Sequence, residues 1–232
     1  MDWAPVVFVY LLWLAVYIIA QSLLTNTIEE KSNRIIEVLL SSVSPLQLMS
    51  GKIFGIALSG LLMVGSWVVF FFLAIRYLPK MLGASPGFDL TALISDPVYL
   101  TSFVVYFLLG YLLYSAIFVA IGSVTNSLKE AQNMLMPMFL VLMVPLFAMI
   151  PVAEDPNGAL AKFLSYIPIY TPFIMMNRAA APPTTAEYVV TTLLLVVSVI
   201  GAFWAAGKVF RVGVLMTGKP PRIREIFRWL RA

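Results

Sequence analysis

The chain has 232 residues, of which 61% are hydrophobic and 11% charged, and its mean hydropathy is +0.96. A soluble domain of this length cannot hide so much apolar surface, because its exterior must be largely polar, so the composition places the chain in a membrane. The absence of Cys and His excludes disulfides, thiolate and imidazole metal sites, Cys or His nucleophiles and His acid–base chemistry, and the net charge of +4 matters less than its distribution.

Residues 5–24 carry no charge. At about 1.5 Å per residue they span roughly 30 Å, the thickness of a bilayer's hydrocarbon core. The run has neither a basic n-region nor a small-residue cleavage site leading into a soluble domain, so it reads as a span and not as a signal peptide. Residues 25–51 then form the longest charged, amphipathic interval between two apolar segments. Thr27-Ile28-Glu29-Glu30 fits a capping box and predicts a helix starting there. Ile28, Ile35 and Leu39, with Ser32, fall on one face of that helix and Glu30, Asn33, Arg34 and Glu37 on the other. Glu30 and Arg34 form a favourably ordered i,i+4 pair. Ser41–Ser44 end the helix, and Ser44-Pro45-Leu46-Gln47 starts another, with Ser as N-cap and Pro at the first helical position.

Residues 53–78 are the second predicted span, with Gly51, Gly55 and Ser59 as a small-residue stripe that permits close helix approach. Residues 79–97 read as a loop rich in Gly and Pro. Residues 98–124 are the third span and carry Tyr106, Tyr111 and Tyr114. Aromatic packing between helices is one reading of these three; a translocation path, shared with Asn133, is the other. Residues 125–132 form a polar turn. Residues 133–152 are the fourth span, where Pro137 and Pro145 kink the helix and mark a candidate hinge, with a static kink as the alternative. An apolar stretch too short to span, cut by Pro168 and Pro172, predicts an outer re-entrant or interfacial hairpin over 163–181. Residues 188–210 are the fifth span. The tail, 211–232, is basic and ends in an amphipathic helix suited to an anionic lipid surface. The expected fold is thus a single all-α integral membrane domain, 1–232.

Five spans put 25–52, 125–132 and the tail on one side, and with Lys208 at the end of the fifth span that side holds eleven of the fifteen Lys and Arg. The excess of positive charge makes it the cytoplasmic side and leaves the N-terminus of this chain outside. An outside N-terminus with no basic anchor is awkward for a complete protein, so an earlier span is expected, either cut away or encoded separately.

No catalytic constellation is apparent. Gly213 to Lys219 spells GxxxxGK, the start of a phosphate-binding loop, but Pro220 stands where Ser or Thr is needed, and the context is a membrane span and not a strand–loop–helix. Any ATP must be bound by a partner. Asp and Glu are absent from the cores of all five spans, which argues against an autonomous ion-coupled transporter.

Three stretches carry a resemblance. Glu29-Glu30-Lys31-Ser32-Asn33-Arg34-Ile35-Ile36-Glu37-Val38-Leu39-Leu40, with Ser44-Pro45 and Gly51-Lys52 beyond it, resembles the cytoplasmic segment of type-2 ABC exporter permeases, nearest to the NatB-like sodium-efflux branch. Tyr166 to Phe173 resembles the family's outer hairpin, and Arg211 to Lys219 with Trp229-Leu230-Arg231 its C-terminal end. The resemblance implies a permease dimer, homo- or heteromeric, bound to two cytoplasmic ATPase subunits that hold ATP and magnesium. It also implies that the first span and an external domain of the family are missing from this chain. The segment matching 27–40 would fit a groove on the ATPase, with Glu29, Glu30, Lys31, Arg34 and Glu37 as contacts and Ile35 and Leu39 packing inward. The expected function is efflux of sodium or a small amphiphilic compound through a plasma-membrane permease that is not itself an enzyme. Lipid is an expected partner and nucleic acid is not. The alternative is a non-transporting scaffold that binds a cytoplasmic partner through the same helix.

Overall fold

The computed structural model describes residues 4–33, 35–82 and 96–216, together with positions 225 and 229. Arg34, most of the 79–97 loop and the terminal amphipathic helix lie outside the described residues, as do the last three positions of the GxxxxGK stretch. Among the described residues the regular structure is helical: α1 (Ala4–Ser32), α2 (Ile35–Leu40), α3 (Pro45–Leu82), α4 (Pro97–Val124), α5 (Leu128–Glu154), α6 (Ala159–Ser165), α7 (Thr171–Arg178) and α8 (Thr185–Gly213). Five of these, α1, α3, α4, α5 and α8, are long and apolar enough to cross a membrane.

The helix ends follow from local hydrogen bonding. Contrary to the sequence expectation, no helix starts at Thr27. The Thr27 hydroxyl donates to the Leu23 carbonyl one turn back at 2.7 Å, so it has no orphan amide to cap and α1 continues to Ser32. At Ser44 the expected cap forms. The Ser44 amide donates to Gln47 Oε1 at 3.0 Å, and the Gln47 amide to Ser44 Oγ at 3.3 Å, which starts α3 at Pro45. α5 begins at Leu128, a turn earlier than expected, on a second such device: the Glu130 amide donates to Ser127 Oγ and Glu130 Oε2 accepts from the Asn126 amide. Pro137 and Pro145 lie within an α5 that runs unbroken to Glu154.

The chain divides into two compact units. The first comprises Met1–Ala15, Leu58–Gly110 and Val144–Leu195. Its apolar core joins Ala148 and Val152 of α5 to Ala161, Leu164 and Ile174 of α6 and α7. Phe8 meets Tyr99 and Phe103 edge-on at 5.3 and 5.6 Å between ring centres, a favoured aromatic geometry. α4 and α8 are pinned by two hydroxyl pairs one turn apart, Ser102–Tyr188 at 3.0 Å and Tyr106–Thr192 at 2.9 Å. Over 163–181, where the sequence suggests a hairpin, lie the end of α6, a turn and α7, and every residue of α7 is buried. Its last residue, Arg178, is fully buried. The guanidinium donates to Glu187 Oε1 at 2.7 Å, Ser165 Oγ at 2.9 Å and Asn157 Oδ1 at 3.1 Å, as a buried charge requires.

The second unit comprises Val16–Ala57, Tyr111–Met143 and Val196–Ala232. Tyr17 packs edge-on between Phe118 and Phe139, and the buried Tyr111 hydroxyl donates to the Ile53 carbonyl at 2.6 Å. Two glycines allow close approach of helices here. A Cβ on Gly122 would sit 3.2 Å from the Leu24 carbonyl oxygen, and one on Gly213 would sit 2.6 Å from Val124 Cγ1.

Candidate functional site

The interval from the last turn of α1 to the first turn of α3 lies wholly in the second unit. It consists of the Glu29-Glu30-Lys31 end of α1, a break after Ser32, the short α2, a Ser-rich turn and the cap of α3. Ile28 is buried at the end of α1, and Ile36 alone is buried in α2. The sequence stripe that turns Ile35 and Leu39 inward assumes one continuous helix and is corrected here: Ile35 is 46% and Leu39 37% exposed. Val38, Val43 and Leu46 are exposed as well, Val38 at 71%. The outcome is an apolar strip on a charged segment, flanked by the exposed carboxylates of Glu29 and Glu37.

The charged residues divide into two groups. Glu29 and Glu37 are exposed. Glu30 and Lys31 turn toward the protein. Glu30 pairs with Lys52 of α3 at 2.5 Å, so the counter-ion in the structure is on the next helix. The expected intrahelical partner, Arg34, is outside the described residues. Lys31 is half-buried, and its ammonium donates to the Ser123 carbonyl at 2.6 Å and the Gly213 carbonyl at 2.9 Å. The Glu130 carboxylate adds a Coulombic attraction.

The candidate translocation residues are divided between the two units. Tyr106, in the first unit, is buried and bonded to Thr192. Tyr111 and Tyr114, in the second, are buried, Tyr111 on the Ile53 carbonyl. Asn133 is exposed. The Tyr106 and Tyr111 hydroxyls thus each bond a neighbouring helix. Of the hinge candidates, Pro137 is exposed and Pro145 buried. The second unit also contains an apolar cleft of about 270 Å³, lined by Ala116, Ala120, Met134, Ala202, Ala205 and Val209 among others. Alanines on α4 and α8 open it by leaving side-chain volume unfilled. Sequence reasoning missed this cleft, the Lys31 contacts and the Arg178 network. It also missed the Ser127–Glu130 cap, although the S-x-x-E spacing is legible there.

Among the described residues, five long apolar helices and the charged segment between the first two define a helical, multi-pass integral membrane protein. The chain belongs to the ABC-2 transporter family: the family described as "ABC-2 family transporter protein" matches residues 1–208. An uncharacterized protein of Methanocaldococcus jannaschii is 34% identical over 226 residues, covering 97% of this chain and 53% of that protein. The uncharacterized protein YhaP of Bacillus subtilis is 27% identical over 234 residues, covering 97% of this chain and 54% of that protein. The chain thus spans about half the length of the curated relatives it matches. No solved structure matches it.

Proposed function

We propose that the chain is the membrane-spanning part of an ATP-driven exporter in the plasma membrane, and that its 25–51 interval docks on a separate cytoplasmic ATPase. That subunit binds ATP and magnesium, and a second permease copy completes the path. The N-terminus of this chain is outside and its C-terminus cytoplasmic, in keeping with the distribution of Lys and Arg. The observation that carries the reading is the exposed strip Ile35, Val38, Leu39, Val43 and Leu46, bordered by Glu29 and Glu37. Exposed apolar side chains on a segment this rich in charge belong against a protein partner, and exposed acids at the border suit a basic groove rim. ATP-driven closure of the ATPase pair would push on this segment and rearrange the helices behind it.

For the cargo we favour a small amphiphilic compound over sodium. The cleft is apolar, and the span cores hold no carboxylate to bind a dehydrated cation. The test is co-purification of the chain with an ABC ATPase of the same cell, then ATP hydrolysis and uptake into inverted vesicles. Val38→Asp with Leu39→Asp abolishes ATPase binding and stimulation while the permease still inserts as a monodisperse species. Undiminished stimulation in that variant refutes the docking reading, and binding without stimulation by the wild type supports a scaffold. ATP-dependent accumulation of a fluorescent amphiphile with none of labelled Na⁺ supports the favoured cargo, and the reverse assigns sodium.

A further inference from the structure

Lys31 stands among charges expected to meet a partner, yet its ammonium points the other way. It joins the Ser123 carbonyl, next to last in α4, and the Gly213 carbonyl, last in α8, at 2.6 and 2.9 Å. The final carbonyls of a helix lack intrahelical donors and carry the negative end of its dipole; that of Gly213 also accepts from the Met216 amide at 3.1 Å. Two such ends are brought within reach of one ammonium because Gly213 packs on Ser123 and Val124, where any Cβ would collide. Gly122 likewise lets α4 approach α1 at Leu24 and Thr27. A lysine suits the position, since its three donors rotate about one point and two of them serve separate helices. The next residue back, Glu30, holds α3 through Lys52. One turn of α1 is therefore fastened to α3, α4 and α8, and α2 begins four residues beyond Lys31.

We propose that Lys31 is the positioning residue that carries displacement of the 35–46 docking segment into the C-terminal ends of α4 and α8. The inference rests on the docking reading above for the source of the displacement, but the tie itself is a property of this chain. The test is hydrogen–deuterium exchange on the full chain in lipid nanodiscs, as wild type, Lys31→Met and Lys31→Arg. Met keeps the packing of the stem and removes the cation; Arg returns a cation. In the chain alone, K31M speeds exchange in the last turns of α4 and α8 by about tenfold, and K31R restores most of the protection. Unchanged exchange in K31M overturns the tie.

The second arm adds the co-purifying ATPase with ADP or with ATP and vanadate. In the wild type the nucleotide alters exchange in 35–46 and in both helix ends together. In K31M it alters 35–46 alone, and K31R restores the response of the helix ends. A merely structural lysine would leave the two segments responding or failing together in K31M, and either result overturns the proposal. If 35–46 of the wild type ignores the nucleotide, the docking reading falls and transmission with it, while the first arm still decides the tie.

Discussion

Arg178 offers the sharpest stability test. It is fully buried, and its counter-ion Glu187 is 12% exposed at 2.7 Å. Ser165 Oγ and Asn157 Oδ1 also accept from the guanidinium, so one side chain fastens the end of α7 to the end of α6 and the first turn of α8. Arg178→Met leaves Glu187 without its cation in a largely dry site; Glu187→Gln leaves the guanidinium without its anion. Breaking a buried pair from one side costs about 3–5 kcal/mol, whereas removing both charges together costs far less because neither is left uncompensated. For a chain of this size each kcal/mol moves the melting temperature by about 2–4 °C, so each single variant loses roughly 6–20 °C. The double variant Arg178→Met, Glu187→Gln recovers at least half of the larger loss. The assay is the apparent melting temperature of monodisperse protein in detergent, followed by fluorescence-detected size exclusion. A shift under 2 °C for Arg178→Met, or a double variant that loses the sum of the two singles, refutes the reasoning.

Glycine contacts make contrasting cases. Gly213→Ala forces Val124 or Ser123 aside and costs about 1–3 kcal/mol, whereas Gly51→Ala, with nothing within 4 Å, leaves stability unchanged or raises it by up to about 1 kcal/mol; thermal unfolding of the two variants checks both. Ser44→Ala removes the α3 cap and costs about 1 kcal/mol, read as a drop in melting temperature of a few degrees with no loss of membrane insertion. Tyr106→Phe keeps the ring and loses the hydroxyl bond to Thr192, a cost of about 1 kcal/mol. Export at an unaltered rate in that variant identifies Tyr106 as packing, and altered export at unaltered stability restores it to the path.

The spans were legible because lipid demands long uncharged runs, and twenty or more such residues, as in 5–24 or 98–124, leave a buried core helix little room as a rival. Their ends were less so. At Thr27 a hydroxyl three residues before a carboxylate looks like a cap, but the same hydroxyl can bond backward to the Leu23 carbonyl, and only the continuing helix decides which. At Ser44 the identical pattern is followed by Pro45, which cannot lie one turn inside a helix already under way without loss of a bond, so the cap reading holds. Charge direction was not legible. Glu30 and Lys31 look like neighbours on a solvated face; their partners Lys52, Ser123 and Gly213 are brought near by packing and not by spacing. Arg178 counted as one more external cation, because nothing local marks Ser165, Asn157 and Glu187 as its surroundings. The exposure of Ile35 and Leu39 depended on the end of α1 at Ser32, which no Gly or Pro announces.

The hydroxyl pairs Ser102–Tyr188 and Tyr106–Thr192 have a mechanical consequence. Both pairs advance by four residues along both helices, so α4 and α8 run in the same direction there and are held in register like two racks sharing two teeth. Sliding by a fraction of a turn breaks both bonds and makes none. Sliding by a whole turn, about 6 Å for four residues, sets Tyr106 against Tyr188, whose rings already touch edge-on at 6.0 Å. Sliding a turn the other way sets Ser102 against Thr192, so within this unit hydroxyls meet again only at whole-turn steps on either side of the resting register.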